Sequence, residues 1–495
     1  MFKHSSNSRL FFFSLLIALL GWSCDSTYGP SMQRAAPADY AFESGLEGEQ
    51  YNQIEENPFL ETSQEPISTF SVDADGGAYS NVRRIIRSGL TPPDDAIRTE
   101  EFINYFMYDY PEPVAGEDIG LSGEVSSCPW TPDNRLIRIG LKGRSLEEIP
   151  PSNLVLLVDV SGSMRSDDKL PLLKDALELL VEQFRPEDRI AIVTYSGSSE
   201  VLLESTPGSD KNKILRKIRK LRAGGSTAGA QGILTAYEIA QENFIQDGNN
   251  RVIMATDGDF NVGVSTQEDL LDLIEEQRES GVFLTTIGTG SGNYQEGKME
   301  QIANHGNGTY EYLDDMEQAE KLFVHEYSKL FTVAKDVKVQ VEFNPSMVQA
   351  YRLIGYENRL LDTEDFENDS TDAGEIGAGQ TITALYEIIP AVGAATKNEP
   401  SFEIQFRYKQ PDEDQSQLLT LEVLDEGVDF AQASENHRWA IAVAGYALVM
   451  RDSPYKGTAN YASVINWMEA ATSFDPYGYR EAAIELVQES EFLFD

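Results

Sequence analysis

The chain has 495 residues, 41% of them hydrophobic, which is enough for about three domains with packed cores. Its 82 acidic residues outnumber the 39 basic residues and give a formal net charge of −43 at pH 7. Because such a surface repels polyanions, the composition argues against nucleic acids and anionic lipid headgroups as partners, and it favours cations or basic proteins.

The amino terminus has the pattern of an export signal. Lys3 and Arg9 precede an apolar run, residues 10–22, which is shorter than the roughly 20 residues that a membrane-spanning helix needs. The run ends in "LLGWSCDS", which resembles a bacterial lipobox with Cys24 as the acylated residue. We therefore expect a signal peptide over residues 1–24, a lipid on Cys24 and a location in the bacterial cell envelope. An ordinary cleaved secretory signal is the alternative.

Two segments precede the most regular part of the sequence. Residues 25–66 predict an acidic, flexible tether, because acidic residues are frequent there and no periodicity is sustained. Residues 67–150 form an N-terminal region that starts like a strand at "ISTFSVD". It continues with the helical spacing of Val82, Ile85 and Ile86.

Strand and helix patterns alternate over residues 152–334. Several strands, such as "NLVLLV" and "RVIMAT", are apolar throughout, and helices such as "KLPLLKDALELLVEQF" carry an apolar face. This pattern predicts an α/β fold, with a doubly wound, mostly parallel sheet that helices cover on both faces.

The C-terminal region, residues 335–495, changes its pattern along its length. Up to about residue 430, segments such as "VKVQVEFN" and "SFEIQFRYK" predict a β-sandwich or sheet. From residue 434 onwards the pattern is helical. The segment "RWAIAVAGYALVM" is apolar nearly all round but only 13 residues long, so we expect a buried core helix and not a membrane span.

Five oxygen-bearing side chains lie where ligand sites form in a doubly wound sheet, at the carboxyl ends of the strands. Asp159, Ser161 and Ser163 follow one apolar strand in "VLLVDVSGSM", and Asp257 follows another in "ATDGDFNVG". Thr227 lies in the Gly-rich loop "AGGSTAG", which opens a helix. If the two strands are neighbours, four of these five groups lie at one edge of the sheet.

The five side chains form a hard donor set with little charge. All of them offer oxygen, which suits Mg²⁺, Mn²⁺ or Ca²⁺ and not zinc or copper, and we expect Mg²⁺ first. Two carboxylates and three neutral hydroxyls leave a bound divalent ion with net positive character and an open coordination position. A carboxylate of a partner protein would fill this position, as in a metal-dependent adhesion site.

The motifs "DVSGSM", "GGSTAG" and "TDGDFNVG" resemble, in order and spacing, the metal-site elements of the von Willebrand factor type A (VWA) domain. The stretch "FSVDADGGAYSNVRRIIRSGLTPPDDAIRTEEFINYFMYDYPEP" and the tail to "ESEFLF" resemble bacterial lipoproteins of the YfbK type. The resemblance implies a VWA domain over residues 152–334, between two family-specific regions. It also implies a metal-bearing recognition domain, whose partner the resemblance does not fix.

Other site types fit the sequence less well. A metal-dependent phosphohydrolase places a second Asp two residues after the first, where this chain has Ser161. The segment "DGDFNVGVSTQE", residues 257–268, imitates an EF-hand loop, but its glycine comes one place late and a strand precedes it. The segment "DADGG", residues 73–77, has weak calcium-loop character, and a plain turn is the favoured interpretation.

We therefore expect an exported, lipid-anchored protein that is not an enzyme and that recognises an acidic side chain of another protein through a divalent cation. The alternative is an envelope scaffold lipoprotein in which the metal only stabilises the fold. The two hypotheses differ in what removal of the metal does: it abolishes partner binding in the first and lowers stability in the second.

Overall fold

Two strands, two helices and an antiparallel strand pair precede the α/β region in the computed structural model. They are β1 (Leu60–Glu61), β2 (Ile67–Ser71), α1 (Gly77–Arg87), α2 (Thr99–Asn104), β3 (Ile119–Ser127) and β4 (Arg135–Gly143). The helical spacing predicted for α1 is confirmed, since Val82, Ile85 and Ile86 are all buried. The helix ends just before Gly89, whose φ of 74° is the left-handed conformation common at helix carboxyl ends.

The structure describes residues 46, 48–73, 75–225, 230–258, 267–394 and 399–494, which all belong to the compact unit of residues 44–495. Of the predicted functional residues, Cys24 and Thr227 lie outside the described residues. None of the helices in the described ranges is both long enough and apolar enough to cross a membrane.

The α/β region contains a six-stranded sheet covered by helices. Its strands are β5 (Ser152–Asp159), β6 (Arg189–Ser196), β7 (Ser198–Pro207), β8 (Asn249–Thr256), β9 (Phe283–Thr289) and β10 (Tyr310–Leu313). Its helices are α3 (Leu170–Gln183), α4 (Lys211–Ile218), α5 (Ala230–Glu242), α6 (Gln267–Arg278), α7 (Glu296–His305) and α8 (Met316–Glu320). The strand order is β10-β9-β8-β5-β6-β7, and every neighbouring pair is parallel except β6 and β7. The predicted doubly wound, mostly parallel fold is therefore confirmed.

The central position of β5 explains its uninterrupted apolar sequence. All eight of its residues are buried. Leu154 and Leu156 pack into the core that includes α3, whereas Val155 and Leu157 pack into a separate core with α5 and α6. Because successive side chains of a strand point to opposite faces, helices on both sides of the sheet require both sets to be apolar.

The C-terminal region follows the predicted change from strands to helices. Its strands are β11 (Thr332–Phe343), β12 (Val348–Ile354), β13 (Gly374–Gly377), β14 (Thr381–Pro390), β15 (Phe402–Lys409) and β16 (Gln417–Val423). Its helices are α9 (Glu435–Met450), α10 (Tyr461–Glu469) and α11 (Tyr479–Phe494). The predicted buried helix is α9, and its residues from Trp439 to Leu448 are all buried.

Strands from before and after the α/β region share two antiparallel sheets. One sheet has the order β1-β12-β14-β4-β3, and the other has the order β13-β11-β15-β16, with β2 also paired to β11. Aromatic side chains join the two sheets: the ring of Phe343 in β11 lies 4.1 Å from that of Tyr351 in β12 and 5.3 Å from that of Tyr386 in β14. The α/β region is thus inserted into a β-sandwich that both flanking regions build, which the sequence patterns did not reveal.

The prediction of a flexible tether is wrong for residues 48–66, which lie along the folded body. Leu60 in β1 pairs with Tyr351 in β12, and the Nδ2 of Asn57 donates to the carbonyl oxygen of Leu353 at 3.2 Å. Thr62 is buried. Backbone pairing and burial fix this segment despite its acidic composition. Residues 25–45 of the predicted tether lie outside the described residues.

Candidate metal centre

Asp159 is the last residue of β5, and two hydrogen bonds hold its side chain at the edge of the sheet. Its Oδ1 accepts the backbone N–H of Ser161 at 2.7 Å, and its Oδ2 accepts the hydroxyl of Thr256 at 3.0 Å. The residue is fully buried, and this burial, together with the charge of Asp257, raises the pKa of Asp159 to about 6. Burial without a cationic partner disfavours the charged carboxylate, so a bound cation would offset the desolvation of this group.

The two predicted serine donors hydrogen-bond to each other directly after Asp159. Ser161 caps a short 3-10 turn, Gly162–Arg165, and its Oγ lies 2.8 Å from the Oγ of Ser163. Ser161 is buried and Ser163 is exposed. The structure therefore brings both hydroxyls together at the end of β5, with Ser163 on the solvent side.

Asp257 follows β8, which is the neighbour of β5 in the sheet. The pairing of Val158 with Ala255 sets the ends of these two parallel strands side by side, which is the condition on which the expected shared edge depended. The Oδ2 of Asp257 accepts a hydrogen bond from the Nζ of Lys169 at 3.0 Å, and both residues are buried. Thr256, the residue before Asp257, donates its hydroxyl to the Oδ2 of Asp159, so the two carboxyl groups lie at the same edge of the sheet.

Lys169 belongs to this site, and the sequence analysis missed it. Its Nζ also donates to the Oδ1 of Asn293 at 2.8 Å, so it links the loop before α3 to the loop after β9. Gly290 makes room for it: the φ of Gly290 is 75°, and a Cβ there would lie 2.2 Å from the Cγ of Lys169. The available sequence signal was a lysine six residues after Ser163, in the loop that follows the predicted motif.

The Gly-rich loop before α5 reaches the site through its backbone. The N–H of Gly224 donates to the carbonyl oxygen of Val160 at 2.7 Å, and the N–H of Gly162 donates to that of Gly225 at 3.1 Å. Gly225 has a φ of 98°, and a Cβ there would lie 2.3 Å from a neighbouring serine hydroxyl, so glycine is required. Thr227, the fifth predicted donor, follows two residues later and lies outside the described residues.

The side chains present fit a hard divalent cation. The described donors of the predicted set, Asp159, Ser161, Ser163 and Asp257, offer only oxygen. Two ionised carboxylates and the ammonium of Lys169 sum to one negative charge, so a divalent ion would leave the site with a net positive charge. That charge would attract an anionic group from outside the site.

Family models match three consecutive parts of the chain. The model "von Willebrand factor type A domain" matches residues 153–325, "Uncharacterized protein YfbK, C-terminal" matches residues 328–493, and "von Willebrand factor" matches residues 46–138. The uncharacterized protein YfbK of Escherichia coli K12 is 40% identical over 497 residues, an alignment that covers 94% of this chain and 85% of that protein. The chain belongs to the YfbK family.

The chain is also similar, over less of its length or at lower identity, to proteins outside the YfbK family. Calcium-activated chloride channel regulator 1 of Mus musculus is 27% identical over 206 residues, which is 41% of this chain and 20% of that protein. The solved structure of a von Willebrand factor type A protein from Catenulispora acidiphila covers 77% of this chain and 91% of that chain, with 16% identity and a TM-score of 0.43.

The match to the VWA domain indicates a general role for this part of the chain. VWA domains commonly bind a divalent cation and generally mediate protein–protein interactions. All five predicted metal ligands of this YfbK-family chain fall within residues 153–325, the part that the VWA model matches. The family therefore indicates a general function, which is interaction with another protein. It identifies neither a bound metal nor the partner.

Proposed function

We propose that the chain binds one divalent cation, with Mg²⁺ as the first candidate and Mn²⁺ and Ca²⁺ as alternatives, and that it recognises a carboxylate of another protein through this ion. The ligands in this proposal are Asp159, Ser161, Ser163, Thr227 and Asp257. The observation that carries it is the buried carboxylate of Asp159. This group accepts hydrogen bonds from neutral donors and forms no ion pair in the described part of the chain. Two serine hydroxyls, which hydrogen-bond to each other, follow it directly.

The pattern of exposure supports recognition over a purely structural metal. Asp159 and Asp257 are fully buried, while Ser163 is exposed. A metal held between these groups is closed on the carboxylate side and accessible on the serine side. A partner carboxylate can therefore approach the ion without displacing a buried ligand.

The same proposal includes an anchor in the cell envelope, with a lipid on Cys24. Metabolic labelling with an alkyne analogue of palmitate should mark the wild-type chain and not the Cys24→Ala variant. Cys128, the other cysteine, is buried beside Glu387 and serves as the internal control for non-specific labelling. Equal labelling of both proteins would refute the anchor.

The recognition role is tested by a paired measurement on Thr227→Ala and Ser163→Ala, with Asp168→Asn as the matched control near the site; Ser163 is chosen because it is exposed and forms no buried ion pair. The full chain is used to capture partners from a membrane extract with and without EDTA, and the melting temperature of each variant is measured. We expect both site variants to lose EDTA-sensitive capture, because loss of a ligand or orienting group costs about 10–100-fold in metal affinity. Their melting temperatures should change little, and Asp168→Asn should behave as wild type.

The opposite outcome supports the scaffold alternative. If both site variants still capture the partner in an EDTA-sensitive manner but melt several degrees lower, the metal stabilises the fold and does not mediate recognition. Capture that EDTA leaves unchanged in the wild type would also contradict the proposal.

A further inference from the structure

The segment of residues 48–51, here called the strap, lies on the β9–α7 loop, residues 290–295. This loop begins at the end of β9, at the same edge of the sheet as the candidate metal centre. The backbone N–H of Gln50 donates to the carbonyl oxygen of Tyr294 at 3.0 Å, and Gln50 also forms a parallel bridge with Gln295. The strap therefore pairs with the loop through its backbone, in a part of the chain where the sequence pattern predicted a flexible tether.

The carboxylate of Glu49 joins the β9–α7 loop to α1. Its side chain is 0% exposed, and its Oε1 accepts the backbone N–H of Gly292 at 3.0 Å. Its Oε2 accepts the Nη2 of Arg84 at 2.8 Å and the hydroxyl of Tyr51 at 2.7 Å. Gly48 brings the backbone close: its φ is 98°, and a Cβ there would lie 2.3 Å from the carbonyl oxygen of Gly292. This position therefore requires glycine.

The loop in turn contacts the metal centre at two places. Asn293 accepts a hydrogen bond from the Nζ of Lys169 at 2.8 Å, and the same Nζ donates to Asp257 at 3.0 Å. Gln295 lies against Gly258, the residue after Asp257: the φ of Gly258 is 87°, and a Cβ there would lie 2.6 Å from the backbone nitrogen of Gln295. The loop thus holds both the side-chain partner of Asp257 and the backbone beside it.

Release of the loop should weaken metal binding for two reasons. Asn293 shares the ammonium of Lys169 with Asp257, so without Asn293 the ammonium would pair with Asp257 alone and compete more strongly with a divalent ion. Loss of the contact at Gly258 would also leave the backbone beside Asp257 less well fixed. Groups that orient a metal ligand from outside commonly contribute about 10–100-fold to metal affinity.

We propose that the strap regulates the metal centre: with the strap in place the centre binds its ion, and release of the strap weakens the binding of the ion and of the partner. Glu49 is the positioning residue, because its carboxylate bonds directly to the loop. The inference rests on the proposed function, since it concerns the same site. It assigns to the N-terminal segment a control over metal affinity that packing alone would not require.

The first test compares the Mn²⁺ affinity of the full chain, measured by titration, between the wild type, Gly48→Val and Glu49→Ala. We expect both variants to bind Mn²⁺ about 10-fold more weakly, because one disrupts the close approach to Gly292 and the other removes the acceptor of its N–H. Glu49→Gln keeps an oxygen that can accept this N–H and should bind Mn²⁺ more tightly than Glu49→Ala does. Glu55→Ala, at an exposed glutamate of the same segment, is the matched control and should behave as wild type.

The second test measures amide hydrogen exchange in the metal-free chain and does not depend on a bound ion. Peptides that cover residues 290–295 should exchange about 10-fold faster in Gly48→Val and Glu49→Ala than in the wild type, because the contacts that hold the loop are lost. Peptides from β5 should exchange at the wild-type rate, which shows that the sheet remains folded. If Glu49→Ala does not fold, Gly48→Val decides both tests.

Two results would overturn the inference while leaving the proposed function intact. One is a wild-type Mn²⁺ affinity in both strap variants together with faster exchange of the loop, since the strap would then only pack against it. The other is unchanged exchange of the loop in both variants. A wild-type chain that binds no Mn²⁺ would instead contradict the proposed function and the regulation together, so the two kinds of failure are distinguishable.

Discussion

Lys169 and Asp257 form a buried ion pair. A metal bound by Asp257 would therefore compete with the ammonium of Lys169 for the same carboxylate. The ammonium lies 3.0 Å from the carboxylate and also bonds to Asn293. It offsets the charge of Asp257 in the metal-free chain and opposes the approach of a second cation. Both effects would lower the affinity of the proposed centre for a divalent ion.

Replacement of the ammonium should strengthen metal binding. In Lys169→Met the metal-free chain loses the partner of a buried carboxylate, and the bound metal no longer faces a positive charge. We expect a lower melting temperature without metal and a Mg²⁺ or Mn²⁺ affinity about 10-fold higher, since each 1.4 kcal/mol corresponds to a factor of ten. Calorimetry on the full chain measures the affinity, and Lys174→Met on α3 is the control. Weaker binding in Lys169→Met would show that the lysine positions Asp257 for the metal and does not compete with it.

Four residues of the candidate metal centre could be predicted because local sequence patterns encode their positions. Asp159, Ser161 and Ser163 follow one apolar strand within five residues, and Asp257 follows another, so strand periodicity and the sheet-edge rule were sufficient. Lys169 was not predicted, because its contact with Asp257 joins residues 88 positions apart through loops without periodicity.

At the scale of elements, α9 shows how a helix is fixed by its first turn. The side chain of Ser434 accepts the N–H of His437, and the ring of His437 bonds through Nε2 to the hydroxyl of Ser126 in β3 at 2.8 Å. His437 is fully buried, so the helix is attached to the sheet through a neutral imidazole.

The buried imidazole predicts a loss of stability in acid. Burial lowers the pKa of His437 to about 3, although the charge of Glu124 opposes this shift, whereas an unfolded histidine titrates near 6.5. Between these values the unfolded chain binds a proton that the folded chain does not, so the stabilisation is present above pH 6.5 and is lost as pH falls towards 3. From pH 7 to pH 5 the wild type should lose about 2 kcal/mol more than His437→Gln in urea unfolding. Equal losses in the two proteins would contradict this assignment.

Strands and helices with strong local patterns were predictable, whereas their pairing was not. The apolar run of β5 and the buried face of α1 were read directly from the sequence. The pairing of β2 with β11 joins residues some 270 positions apart, such as Phe70 and Val339. No turn or short connection links them, so the shared sandwich could not be derived from local periodicity.

At the scale of the whole molecule, the α/β region is bonded to the segments that surround it. Arg83 in α1 forms a two-pronged ion pair with Asp314, which follows β10: both N–O distances are 2.7 Å, and each side chain is 3% exposed. Just before α1, the Oδ1 of Asp75 accepts the N–H of Tyr310 in β10 at 2.7 Å. The stability of the α/β region should therefore depend on residues outside it.

Loss of this ion pair should destabilise the entire chain. Arg83→Met leaves the carboxylate of Asp314 buried without its cation, which typically costs about 3–5 kcal/mol of unfolding free energy. Arg87→Met is the matched control on the same helix, because Arg87 is 41% exposed and its pair with Asp315 should contribute less than about 1 kcal/mol. Urea unfolding of both variants gives the comparison, and similar losses would contradict a special role for the buried pair.

Metal stoichiometry tests the central claim most directly. The metal-free full chain is titrated with Mn²⁺, and free Mn²⁺ is counted from its electron paramagnetic resonance signal. We predict that the wild type binds one Mn²⁺ more per chain than Asp159→Asn does, and that Asp168→Asn binds as the wild type does. Equal Mn²⁺ binding by the wild type and Asp159→Asn would contradict a metal centre at the end of β5.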